Sequence, residues 1–177
     1  MFKFDRMPGV VCLAALILLV GCGRGTSTTP ASEVELPAEL ILSEPPAVAV
    51  DVKTALASAR EGDDIVVRGR VGGRGDPLVA GRAVMTILDL SVATCDANPD
   101  DNCRTPWDAC CEDPATVRQS TAVVQVVGPD GQPLRAGLRN FGGIRPMAQV
   151  IVQGTARRGP DGKTLLIDAS GLHVTGP

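Results

Sequence analysis

Four cysteines, Cys95, Cys103, Cys110 and Cys111, crowd into residues 94–114 (TCDANPDDNCRTPWDACCEDP) with the single tryptophan, Trp107, and six acidic residues. Several chemistries suit such a stretch. In an oxidising compartment an even set of thiols makes disulfides. A Cys110–Cys111 bridge would be a strained vicinal ring, so Cys95 and Cys103 are each expected to take one of the adjacent pair. Each bridge would close a loop of roughly 8 to 16 residues and contribute about 3 kcal/mol on the chain-entropy account. A polar insertion with almost no apolar content has little else to order it. Zinc is a second chemistry. Thiolate sites usually draw ligands from C-x₂₋₄-C pairs, whereas the spacing here is C-x₇-C-x₆-C-C, with neighbouring cysteines that are awkward for one tetrahedral ion. Calcium is a third. Asp96, Asn98 and Asp100 match positions one, three and five of an EF-hand loop, with Asp101 and Asn102 beside them. The sixth position should be Gly and is Asp101, and the twelfth should be Glu and is Trp107, so a calcium ion would need another geometry. Without an ion these acids are a solvated loop surface. A redox role requires a low-pKa thiol with a resolving partner, and neither C-x-x-C nor a βαβ pattern is present.

Elsewhere the chain is poor in catalytic groups. His173 is the only histidine and, in Gly171-Leu172-His173-Val174, alternates away from Leu172 and Val174, which makes it a solvent-facing strand residue. The sequence lacks G-x-S-x-G, H-E-x-x-H, the P-loop and the dinucleotide glycine fingerprint. Paired carboxylates occur only in the acidic loop, with no apolar pocket to raise a pKa. No catalysis is expected. Arg68, Arg70 and Arg82, with Trp107, are the candidate ligand face, suited to an anion or a polysaccharide. The plainer reading of these arginines is solvated strand edges that block edge pairing.

The elements that must position these residues are short strands and turns. Gly 20 and Pro 14 in 177 residues favour them over a helical bundle. Residues 52–60 read as a helix, with Asp51 placed to cap it and Gly62 just beyond it. Strands follow at 65–71, with Gly69 where a bulge or bend would sit, then at 83–90, 121–127, 149–155 and 164–169, the last continuing past Gly171 to Leu172 and Val174. Residues 134–144 form a short mixed connection with room for one helical turn.

The N-terminus carries an address. Lys3 and Arg6 precede the 12 apolar residues 9–20, too few for a bilayer span of about 20 and typical of a signal-peptide core. The run ends Leu19-Val20-Gly21-Cys22, which resembles the lipobox of bacterial lipoproteins. The resemblance implies cleavage after residue 21, acylation of Cys22 and a stable membrane anchor, each buried methylene contributing about 0.8 kcal/mol. Gly23, rather than an acid, at the next position implies by the same similarity the outer membrane, facing the periplasm. Residues 22–48 then read as the acylated cysteine and a flexible tether, interrupted by Leu40-Ile41-Leu42, a piece suited to docking on the folded domain at 49–177. The chain carries 17 basic and 20 acidic residues, and losing Lys3, Arg6 and Asp5 leaves 15 against 19, or −4. That charge opposes nucleic-acid binding, and Trp107 and Phe141, the only remaining aromatics, cannot build a base-stacking platform.

Five strands, a longer connection between the third and fourth, and a glycine midway along the first resemble the OB-fold across residues 64–174. The resemblance implies an all-β Greek-key barrel, preceded here by a short helix, whose second and third strands and adjoining loops carry the ligand site. The cysteine insertion, 94–118, falls between those two strands. A five- or six-stranded β-sandwich is the competing architecture. The whole arrangement is also similar to uncharacterised planctomycete lipoproteins, which adds a fold expectation and no activity. The expected protein is a lipid-anchored cell-envelope binding or structural module without a cofactor. The alternatives are a calcium- or zinc-dependent module and a nucleic-acid or polysaccharide binder on the OB face.

Overall fold

Apolar residues at every second position, broken by Gly- and Asp-rich turns, oblige this chain to form a sheet with one buried face, and closing that sheet buries the face on itself. The structure, a computed structural model, describes residues 35–97, 100 and 103–176. The residues expected to be a signal peptide, Cys22, the expected tether as far as residue 34, and Asn98, Asp101 and Asn102 lie outside the described residues. The elements in chain order are β1 (Val50–Asp51), α1 (Val52–Ser58), β2 (Asp64–Val71), β3 (Val84–Leu88), α2 (Pro114–Arg118), β4 (Thr121–Gln125), β5 (Gln149–Arg158) and β6 (Leu165–Gly176). No described helix is long and apolar enough to cross a membrane.

Strands β2 to β6 make a closed five-stranded barrel of OB-like topology in the order β2-β3-β4-β6-β5, with β5 returning to β2. The closing pair runs from Asp64↔Thr155 to Arg70↔Gln149, and it excludes an open sandwich. Neighbours are antiparallel except β4 and β6, which run parallel from Val123↔Leu166 to Gln125↔Asp168. That one parallel pair is what the longer connection between β4 and β5 requires. Val67 and Val71 of β2, Met85 and Ile87 of β3, Ala122 and Val124 of β4, Val150 and Val152 of β5, and Leu165, Ile167 and Leu172 of β6 fill the interior.

Several local expectations are corrected. The ladder runs unbroken through Gly69, so β2 carries no bulge there. The irregularities are in β6, where Gln153 pairs with Gly171 and Gly154 with Ala169, leaving Ser170 as an extra residue, and where Gln149 pairs with Gly176 and Val150 with Val174, leaving Thr175 as another. A Cβ on Gly154 would stand 2.3 Å from the Asp168 carbonyl oxygen, so the strands approach this closely only because no side chain is present. Asp51 occupies the N-cap of α1 but its carboxylate does not cap. It accepts from Arg68 Nε at 2.6 Å instead. The orphan Lys53 N–H at the helix start donates to Asp89 Oδ2 at 2.8 Å, so a residue 36 positions later caps the helix. The mixed connection contains one 3₁₀ turn, Phe141–Gly143.

The packed body also reaches ahead of residue 49. Leu36 and Leu40 are buried in the barrel core. Leu42 N–H donates to the Leu172 carbonyl at 2.8 Å, and Ile41 bridges Leu172, so the Leu40-Ile41-Leu42 piece docks along β6. His173 is half-buried by this docking rather than solvent-facing. Its Nδ1 lies 2.9 Å from the Leu42 carbonyl oxygen, an acceptor, which requires the proton on Nδ1.

Candidate functional site

The insertion leaves β3 and returns to β4 through a closed neck, where Asp89 N–H donates to the Ser120 carbonyl at 2.8 Å. Asp89 is buried. Burial alone would raise its pKa, but the Lys53 N–H and the Ser91 hydroxyl and N–H outweigh burial and hold the carboxyl below its ordinary value. Near the far end Asp113 caps α2 through Ala115 N–H at 2.8 Å and Thr116 N–H at 3.1 Å, with Pro114 in the first helical turn. Asp113-Pro114 is a legible helix-start signature, and the helix it opens went unread in the sequence.

Between these ends the insertion is more than a polar excursion. Leu88, Val92, Ala109 and Val117 form a second, small apolar core. The backbone is tied to the β2–β3 turn: Gly73 N–H donates to the Trp107 carbonyl at 3.1 Å, and Ala109 N–H to the Gly73 carbonyl at 3.0 Å. A Cβ on Gly72 would meet the Trp107 carbonyl oxygen at 2.9 Å, so this turn accepts the insertion only as glycine. Trp107 Nε1 donates to the Gly75 carbonyl at 2.8 Å, and Asp108 Oδ2 accepts from Gly75 N–H at 3.2 Å. Disulfides are therefore not the sole source of order here, which corrects that expectation.

The cysteines converge. Cys95 Sγ lies 3.2 Å from Cys110 Sγ, and Cys110 Sγ 4.0 Å from Cys111 Sγ. The sulfurs of Cys95, Cys110 and Cys111 all fall within 4.8 Å of one another, and the Cys103 thiol, outside that group of three, still bears on the Cys95 pKa. None of these contacts approaches the ~2.05 Å of a disulfide, so the two expected bridges are not formed in this structure. Cys95 is buried and Cys110 and Cys111 are exposed. Burial, and then the neighbouring thiols, push the Cys95 thiol up to about 12. A small cavity of about 170 Å³ beside the cluster is lined in part by Cys95, Cys111 and Asp108. Asp108 Oδ1 is buried and accepts no hydrogen bond from the described residues.

The calcium ligands do not assemble among the described residues. Asp96 is exposed and accepts from the Thr94 hydroxyl, Asp100 is exposed, and Asn98 and Asp101 lie outside those residues. The one group of described His, Cys, Asp or Glu side chains close enough to share an ion is Cys95, Cys110 and Cys111.

The proposed ligand face does not assemble either. Arg68 and Arg70 project outward from β2, as their alternation predicts, but each is committed. Arg68 pairs with Asp51, whose hydrogen bond and charge raise the guanidinium pKa, and Arg70 Nη1 donates to Thr94 Oγ1 at 2.7 Å. Arg82 is exposed in the turn before β3, and half-buried Trp107 serves as a clamp on Gly75. A different concavity lies between α1, α2, the start of β4 and the β5–β6 turn. It encloses about 1020 Å³, and its walls include Lys53, Leu56, Arg118, Val123, Asp161 and Lys163. Asp161 accepts from Thr164 N–H, Lys163 N–H and the Thr164 hydroxyl, which hold its pKa at about 2. Lys53, Arg118 and Lys163 stand 65 and 45 positions apart in the chain, so no local spacing announced them.

No protein-family model, curated protein or solved structure matches this chain.

Proposed function

We propose that this protein is a lipid-anchored cell-envelope binding module in which the OB-like barrel presents the groove beside β4 to an anionic glycan. The observation that carries the reading is the groove's composition: three cations, Lys53, Arg118 and Lys163, over an apolar floor that includes Leu56 and Val123. Asp161, the one carboxylate in that lining, is occupied by its own turn and does not pair with the cations, of which Lys53 donates to Ser91 Oγ at 2.8 Å. No aromatic ring lines the groove, so the stacking that neutral sugars and nucleic-acid bases use is missing there, and charge must supply recognition. The groove flanks the third barrel strand, on the side of an OB barrel that customarily meets ligands.

The membrane half of the reading rests on the basic segment, the apolar run and Leu19-Val20-Gly21-Cys22. Intact mass of the protein extracted from bacterial membranes checks it, with an acylated Cys22 as the new N-terminus expected. For the groove, titration with polygalacturonate at low salt should give saturable binding, weakened about ten-fold by Lys53→Ala, Arg118→Ala and Lys163→Ala together and by raised salt. Absence of saturable binding by the unaltered protein at low salt would end the glycan reading.

A further inference from the structure

We infer that Cys95, Cys110 and Cys111 supply three thiolates of a tetrahedral site for one zinc ion, which Cys103 completes as the fourth. Zinc–sulfur bonds of about 2.3 Å place the corners of a tetrahedron about 3.8 Å apart. The contacts Cys95–Cys110 at 3.2 Å and Cys110–Cys111 at 4.0 Å bracket that edge. Disulfides would gather sulfurs two by two. Here Cys110 approaches Cys95 and Cys111 together, and the three sulfurs lie within 4.8 Å of one another; Cys103 would close onto this group as the fourth ligand.

The adjacent pair, awkward on sequence spacing, is accommodated by a turn. Glu112 N–H donates to the Ala109 carbonyl at 3.2 Å, so Cys110 and Cys111 are its two central residues, with both sulfurs in the cluster. Cys95 is held in register with the same turn because its N–H donates to the Asp108 carbonyl at 2.8 Å. Thr105 Oγ1 lies 3.3 Å from Cys103 Sγ. A hydroxyl so placed orients and stabilises ligating sulfur. Binding releases four protons from four thiols and transfers no electrons, leaving zinc and four thiolates with a charge of −2. Two guanidiniums bond to sequence neighbours of the cysteines: Arg70 on Thr94, next to Cys95, and Arg74 Nη2 on the Glu112 carbonyl at 3.0 Å, next to Cys111. A thiophilic ion of this kind would also protect the sulfurs from oxidation after export.

The test uses the full-length protein purified from membranes without reductant. One zinc per chain by elemental analysis is expected, with four thiols that resist alkylation until a chelator is added. Replacement by Co²⁺ should give the sulfur-to-cobalt charge-transfer and d–d bands of a tetrahedral thiolate site. Cys95→Ser and Cys111→Ser should each weaken zinc binding about 100-fold or more while the barrel still unfolds cooperatively. A metal-free chain about 4 Da lighter, with two disulfides mapped, would overturn the proposal. So would a metal-free chain whose four thiols alkylate without chelator and whose cobalt spectrum lacks these bands. Polygalacturonate binding reads the groove separately, so either proposal can fail without the other.

Discussion

The barrel and the insertion are built from the same backbone by different means. In the barrel, each strand donates alternate side chains to one closed interior, and residues as distant in sequence as Val67 and Leu172 share it. In the insertion, a small apolar core shared with Leu88 of β3 and Val92, a set of backbone bonds to the β2–β3 turn and a sulfur cluster do the corresponding task. The barrel's stability is spread over many buried contacts. The insertion's order depends on a few, each placed by a neighbour outside the segment. The lesson is that a chain can append a chemically specialised segment to a stable barrel without asking the barrel's core to hold it.

The largest test of this contrast is Ile167→Ala. Ile167 is fully buried at the barrel centre, and truncation should cost about 2–5 kcal/mol, read as a lowered denaturation midpoint shared by every probe. Retention of the barrel signal with loss of the insertion alone would reverse the roles given to the two regions. Val117→Ala probes the other side. Removing two methyls from the small core should cost about 1–3 kcal/mol, and it should appear as faster amide exchange across 89–120 with β5 and β6 unchanged. Uniform acceleration through the barrel would show that the two regions are one cooperative unit.

The smallest effect is the contribution of the β5–β6 turn to the acid arm of the stability curve. Asp161 has a folded pKa of about 2 against an ordinary 3.8, so its contribution is fully present above about pH 4 and is lost as pH falls towards 2. Stability measured between these limits should decline, and Asp161→Ala should flatten the decline while leaving the insertion's exchange rates untouched. A carboxyl titrating near 3.8 by NMR would contradict this.

Much of the barrel was legible beforehand, for a physical reason that particular residues illustrate. Ile65, Val67 and Val71 alternate against Arg68 and Arg70, and a period of two is a property of any half-buried strand, whatever its partner. The insertion was located but not understood. Val92, Ala109 and Val117 are too scattered to form a pattern, yet they meet over Leu88 once the neck closes. Gly72 and Gly73 read as turn residues, and nothing local reveals that they make room for Trp107. The arginines were correctly placed on the outer face, but their partners Asp51 and Thr94 are contacts across the fold.

Amino-acid order alone determined the alternation, the turns and the set of five strands, because these depend on side chains within a few residues of one another. It also put four thiols within one short segment. Tertiary structure alone decided that the barrel closes through β2 and β5, that Asp89 caps a helix 36 residues upstream, that three cations border one groove, and that the sulfurs converge. Those outcomes depend on distances between segments remote along the chain, and only the closed barrel sets such distances.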